Sequence, residues 1–450
     1  MTYREIALHY IGFLVALAGA SCADSSSRGP IDAVGDDVPG DSRQPIPPFM
    51  PGPEPVSPID AVAGELTIYQ LDLPAGITVR IGESEIIVGP DGTLVLLDVG
   101  NASHEDELRE EIQRLNTQVL TPARGFSQRA PLQVDWVVIT HFHGDHVGAL
   151  PDLLAGSAPL QITHGVIHRG WVDVGDALNP AAFQATCELL RGPAVALDRP
   201  LCTSATLAPC AQSAWTSAYP ASACPGLSHG DLTTTADDGA GAASFIPLGN
   251  GARVVLIGAD AVFSDGHDLV PAASFGHEQN GQENARSLVG LIEHGWFRYH
   301  FAGDLTGEGN EESPDVESQL VAISGTAWYG PRGVDVVHAH HHVRKTSSNP
   351  AFVAMATPVD GRSRNVIGGI SEAYVLSPYA AVLAAFADVM RLGSGWIWVP
   401  RAAAGGATHA RLDVASGPVI LQTIQEGRGY RIQAAGSTVH SRAFPSVAAE

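Results

Sequence analysis

Three histidines and an aspartate stand within six positions at His141, His143, Asp145 and His146, in the stretch VVITHFHGDHVGAL (137–150). Imidazole and carboxylate are the donors that borderline divalent cations such as zinc accept. His141 and His143 are two apart, so in extended backbone both side chains leave on one side, and Gly144 then permits a sharp turn that brings Asp145 and His146 round. Two adjacent sets of donors suit a pair of metal ions better than one closed structural site. A lone histidine reads as surface scatter, but this density is far above what 18 histidines in 450 residues would give by chance.

A second cluster, His338, His340, His341 and His342, lies in VDVVHAHHHVRKTSSNP (334–350). A polyhistidine tract can be merely solvated; here it follows a hydrophobic strand, as His141 does, which favours a second half of the metal site. Asp304 ends the run WFRYHFAGD (296–304). Alone it would serve as well as a turn or helix-capping residue before Leu305 and Thr306. Beside two histidine clusters it becomes a candidate donor at a strand end.

These residues need strands to carry them. Gln133–Thr140 is apolar on both faces, the pattern of a central strand covered by helices. LTIYQLDL and ITVRIGESEIIVGPDGTLVLLDVG (66–100) alternate as a strand meander around a Gly-Pro-Asp-Gly turn, and ARVVLIGAD, SLVGLIEH, WFRYHFAGD and VDVVHA supply a second series with a tight hairpin at His294-Gly295. Helices are predicted at Ser103–Leu115, with Ser103 and Asp106 in capping-box spacing, at Val147–Leu154 and at Pro378–Leu392. Two further strands, PVILQTI and GYRIQAA, lie in the tail.

THFHGDH resembles the His-x-His-x-Asp-His signature of the metallo-β-lactamase superfamily of metal-dependent hydrolases. The ordered pieces LLDVG (96–100), THFHGDH, NARSLVGLI (284–292), FAGD and HHVRKTSSNP (341–350) are similar to the extracytoplasmic branch related to the competence protein ComEC. The resemblance spans roughly residues 64–400. It implies an α/β fold, the αββα four-layer sandwich, with two divalent metal ions, zinc or alternatively manganese, and hydrolysis by a metal-bound hydroxide. It implies that His141 and His143 hold the first metal, that Asp145 and His146 hold the second, that Asp304 bridges, and that one of His341 and His342 completes the second. Asp98 would support the ligands from behind.

The chain departs from that pattern. The usual HHGS is His341-His342-Val343-Arg344, so the Gly-Ser turn is gone and Arg344 offers either an anion contact or a surface charge. Asn284 and Ser287 match the NxxS of the ComEC-type branch where many members place a histidine, with His277 as a substitute donor nearby. Pro74-Ala75-Gly76 stands where the family has Gly-Gln-Gly-Asp.

Composition bounds the partners. Lys plus Arg number 25 against 48 Asp plus Glu, a formal charge of −23, which argues against extended nucleic acid or an anionic membrane surface. Residues 1–22, with Arg4 and an apolar stretch from Ile6 to Ala20, have the form of a signal peptide. Gly19-Ala20-Ser21 before Cys22 resembles a lipoprotein box, so lipidation at Cys22 and plain secretory cleavage both stand; either gives an exported protein with no other membrane contact. Residues 23–62 form a Pro/Ser/Gly/Asp-rich tether, and 63–436 the hydrolase domain. Cys187, Cys202, Cys210 and Cys224 suggest two disulfides of open pairing in an insertion at about 186–242.

The expected function is hydrolysis of an ester, a phosphodiester or phosphomonoester first, with Asp145 orienting the attacking water or taking its proton. A lactone or thioester substrate is the alternative. A non-catalytic cell-surface metal-binding protein with a vestigial site is the reading from a different class, motivated by the altered HHGS.

Overall fold

Period-two alternation in the strands places their two faces in two different cores. Ile87, Val95, Leu97, Trp136 and Val138 share one buried cluster, while their neighbours Ile86, Val88, Leu94, Leu96 and Val137 belong to another. A sheet that is apolar on both faces must be covered on both, and this one is. The structure, a computed structural model, describes residues 59–73, 82–170, 180–201, 244–272, 283–309, 313–358, 364–369, 377–387, 395–401, 406–410, 412–415, 417–434 and 440–443. The expected signal peptide with Cys22, most of the tether, Pro74-Ala75-Gly76, His277, Cys202, Cys210 and Cys224 lie outside these residues.

The first sheet takes β1 (Thr67–Gln70), β2 (Glu85–Val88), β3 (Leu94–Leu97), β4 (Gln133–Ile139), β5 (Gln161–His168) and β6 (Asp198–Pro200). The second takes β7 (Ser244–Gly249), β8 (Ala252–Ala259), β9 (Val262–Ser264), β10 (Leu269–Pro271), β11 (Val289–His294), β12 (Phe297–Phe301), β13 (Val336–His338), β14 (Asn365–Ile367), β15 (Ile397–Val399) and β16 (Leu412–Val414). The chain then returns to the first sheet with β17 (Val419–Ile424), β18 (Gly429–Ala434) and β19 (His440–Ala443), where β17 pairs with β1. Strands β3 to β6 and β12 to β16 run parallel, and the remaining pairs are antiparallel.

Between the sheets lies a shared core of Ile68, Val254, Leu256, Phe297, Phe301, Trp398, Leu421 and Ile432 among others. Helices α1 (Glu105–Arg114), α2 (Gly144–Val147), α3 (Leu150–Leu154) and α4 (Pro180–Arg191) lie with the first sheet, whose outer core includes Leu108, Ile112, Leu153 and Phe183. Helices α5 (Glu317–Ser324), α6 (Pro350–Ala356) and α7 (Ala380–Ala385) contribute Leu320, Phe352 and Leu383 to the outer core of the second. The layers are helix, sheet, sheet, helix, the αββα arrangement expected.

One boundary differs from that predicted. The α1 start is set by Asn101 and His104, whose Nδ1 accepts the Asn101 N–H at 3.1 Å, and not by Ser103 and Asp106. Phe183, Cys187 and Leu190 form the buried face of α4, and β6 extends the first sheet beyond it. Ile59 and Ala61 are buried, with their N–H groups donated to Gln433 and Tyr69, and β19 pairs with β18. The α7 helix lies within the helix expected at 378–392, of which residues 388–392 lie outside the described residues.

Candidate metal centre

Where parallel strands end, their next residues share one edge. Asp98 follows β3, Thr140 and His141 follow β4, Asp304 follows β12, and His341 follows β13. Glu83 enters the same edge just before β2, the antiparallel neighbour of β3, and Asn284 and Ser287 enter just before β11, the antiparallel neighbour of β12. Gly303 lets Asp304 approach β4. Its φ is +49°, and a Cβ there would meet Thr140 Oγ1 at 2.5 Å.

Two groups of donors converge, and Asp304 belongs to both: His141, His143 and Asp304, and Glu83, His146, Asp304 and His342. His146 Nε2 and His342 Nε2 each lie 3.3 Å from Asp304 Oδ1 and 3.3 Å from each other. On the other side of the carboxylate, Asp304 Oδ2 is 3.7 Å from His141 Nε2 and 3.6 Å from His341 Nε2. His143 Nδ1 is 3.1 Å from His141 Nε2, and Asp145 Oδ2 is 3.6 Å from His342 Nε2.

Outer contacts decide which nitrogen of each ring faces inward. His146 Nδ1 lies 2.8 Å from Asp98 Oδ2, so its proton sits there and Nε2 presents a lone pair. His342 Nδ1 donates to the Gly369 carbonyl at 2.9 Å, with the Glu83 carboxylate Oε2 2.7 Å away, and with the same result. Thr140 Oγ1 donates to Asp98 Oδ2 at 2.7 Å and therefore accepts from His141 Nδ1 at 3.1 Å, which leaves His141 Nε2 bare. Bare imidazole nitrogens crowded against a buried carboxylate repel one another unless a cation lies among them. This donor set therefore fits divalent metal.

Without a metal, the same carboxylates favour a proton in the cation's place, which metal binding would displace. Burial opposes charge on His146 and His342, yet Asp304 and the other carboxylates beside them hold both well above the ordinary histidine range. Burial also opposes ionisation of Asp304 and Asp145, and the neighbouring histidines outweigh it, so both stay well below the usual carboxylate range. His141 is pushed well below its ordinary value by burial and by His146, and burial takes His341 down to about 4.

Most of the residues singled out in the sequence meet here. Ser287 Oγ accepts the Asp304 N–H at 3.3 Å, and Asn284 Nδ2 is 3.4 Å from His341 Nε2. Arg344 is exposed on the loop beyond His342. His338 and His340 turn away: His338 Nε2 is 2.5 Å from Glu83 Oε1, and His340 Nδ1 is 2.6 Å from Glu317 Oε1. Glu83 was missed, although an acidic residue after Gly82 directly before a buried strand carries the cue. Glu283 was missed too. Its carboxylate accepts the Phe142 N–H at 2.7 Å and both Arg169 Nε and Nη2, fixing the loop between His141 and His143.

A sandwich of two sheets with this His/Asp cluster at the strand ends defines a class of metal-dependent hydrolases. A family model for the metallo-beta-lactamase superfamily matches residues 85–362, over half of the chain, and the chain belongs to that superfamily. Its members usually bind divalent metal ions. The lactamase-like protein nscB of Arthroderma otae is 32% identical over 89 residues, 18% of this chain and 25% of that relative, so the match spans about a quarter of the relative's length. Among solved structures, a HARLDQ-motif mutant of a metallo-beta-lactamase from Cronobacter sakazakii matches 60% of this chain and 76% of its own at 15% identity, with a TM-score of 0.26. A mutant of the CmlA beta-hydroxylase matches 73% of this chain and 50% of its own at 14% identity, with a TM-score of 0.29.

Proposed function

We propose that this chain hydrolyses a small ester, a phosphodiester or phosphomonoester first, using two divalent metal ions, and that it stands nearest the ComEC-type branch of its superfamily. The convergence of His146 Nε2 and His342 Nε2 on Asp304 Oδ1, 3.3 Å each, carries the reading. His141, His143 and Asp304 would hold one ion; Asp145, His146, His342 and Asp304 would hold the other. Bound divalent ions supply Lewis acidity and lower the pKa of water.

The chain's own residues do the rest. Asp98 and Glu83 stand behind the rings of His146 and His342, and Asp145, partly exposed beside them, orients the attacking water. His341, neutral at working pH because burial holds it near 4, faces Asp304 Oδ2 beside the ion pair. Arg344, exposed on the same loop, offers a cation to an anionic substrate. The charge of −23 disfavours long nucleic-acid tracks and favours a small substrate. The apolar leader and tether support an exported protein, anchored at Cys22 or released; zinc is the first metal to test and manganese the second.

The test is a panel of phosphodiester, phosphomonoester, lactone, thioester and β-lactam substrates on purified protein with its metals quantified. The expected result is two equivalents of metal and chelator-sensitive phosphoester cleavage, abolished in Asp304→Asn and His146→Ala. Two bound metals with no hydrolysis anywhere would replace this reading with a metal-binding surface protein.

A further inference from the structure

We infer that Glu317, which touches neither group of metal donors, is the positioning residue that holds the loop from His340 to Asn349 in the conformation that aims His342 at Asp304; the inference rests on reading His342 as a metal ligand. The loop does not favour this shape by itself. His341, His342 and Val343 occupy the left-handed region in succession, with φ of 48°, 53° and 59°, and Ser348 follows at 55°. Non-glycine residues rarely adopt it, and for a β-branched residue such as Val343 it is a true outlier that the surroundings must impose.

Glu317 supplies that imposition. It opens α5 and is fully buried. Its Oε1 accepts from His340 Nδ1 and from the Ser348 N–H, both at 2.6 Å, and its Oε2 accepts the Asn349 N–H at 2.6 Å. One carboxylate thus ties the residue before the left-handed run to the two that close the loop. Ser347 Oγ adds a donor to the His340 carbonyl at 2.8 Å and to that of Arg344 at 3.1 Å.

The clamp is itself braced. His340 gives its Nδ1 proton to the carboxylate, so its Nε2 accepts from His300 Nε2 at 2.7 Å, and His300 Nδ1 accepts from Tyr329 OH at 2.8 Å. One proton then serves each contact along this line. Gly307 lies flat on the carboxylate, where a Cβ would meet Glu317 Oε2 at 2.2 Å. The first donor pair, His141 and His143, hangs from β4 and does not depend on this clamp.

Chelator-competition titration with zinc, on metal-free wild type and variants, measures the two equivalents separately. In Glu317→Ala one equivalent should bind about 10–100-fold more weakly while the other is unchanged, and Val343→Gly in that background should recover much of the loss, because glycine adopts the left-handed region at little cost. A purely structural Glu317 would weaken both equivalents together and would not be rescued. Unchanged affinities, equal loss of both, or absence of rescue each overturns the inference. Should Glu317→Ala fail to fold by circular dichroism, Ser347→Ala decides, with a several-fold loss confined to the same equivalent supporting the clamp and no loss rejecting it. Wild type that binds no zinc would instead overturn the metal centre itself.

Discussion

Each inward-facing imidazole nitrogen is available because its ring partner is already engaged. Asp98 stands behind His146 and, through Thr140, behind His141; Glu83 stands behind His342. Asp98→Asn and Glu83→Gln should each retain the fold and weaken metal binding by about 10–100-fold, read by chelator competition, because an amide no longer fixes the tautomer. Glu83 also holds His338, whose pKa is raised to about 9 because Glu83 and Glu85 outweigh the burial that would lower it. A folded-state value above the unfolded 6.5 gives stability fully present below pH 6.5 and lost as pH rises through 9. Glu85, raised to about 7 by burial, acts in the same direction over a lower window. The melting temperature of metal-free protein should therefore fall between pH 7 and 9.5, by an amount equivalent to about 3 kcal/mol at most, and His338→Gln should flatten that slope.

The loops between strand ends and helices carry the chemistry, and two of them are held by buried carboxylates outside the donor groups, Glu283 behind His141–His143 and Glu317 behind His340–Asn349. Glu283 and Arg169 are both fully buried, 2.6 Å apart at Glu283 Oε2, with the Arg169 guanidinium 4.9 Å from the Phe142 ring centre. Glu283→Ala withdraws the acceptor of the Phe142 N–H and of Arg169 Nε and Nη2, so it should cost about 1–3 kcal/mol by urea unfolding. It should also loosen the His141–His143 loop, seen as weaker binding of the first metal equivalent. At this scale the sequence was legible where a run of apolar residues met a dense motif. It was not legible for α4, whose buried Phe183, Cys187 and Leu190 sit among alanines, or for Glu83, whose partner His342 is over 250 residues away.

The two sheets place donors from the first half of the chain beside donors from the second, and the tail then closes the first sheet. Strand β17 covers the edge of β1, and Val419, Leu421, Tyr430 and Ile432 fill the core between the sheets. Deleting residues 417–450 would strip these four large side chains from the core, each worth about 1.5–3 kcal/mol of burial, against a whole-domain stability of about 5–15 kcal/mol. The truncated chain is expected to be insoluble or unfolded by circular dichroism, despite retaining every candidate metal donor. The sequence alone showed the strands that lead into the site, the αββα layering through its family likeness, and the candidate donors at His141–His146, Asp304 and His341–His342, because periodicity and ligand density are local properties. Only the tertiary structure decided that His342 faces the His146 side of Asp304 while His341 faces the other, and that Glu83 and Glu317 stand behind the histidines. Those choices are made by contacts between residues remote along the chain, and side-chain direction at a strand end is set by what it packs against.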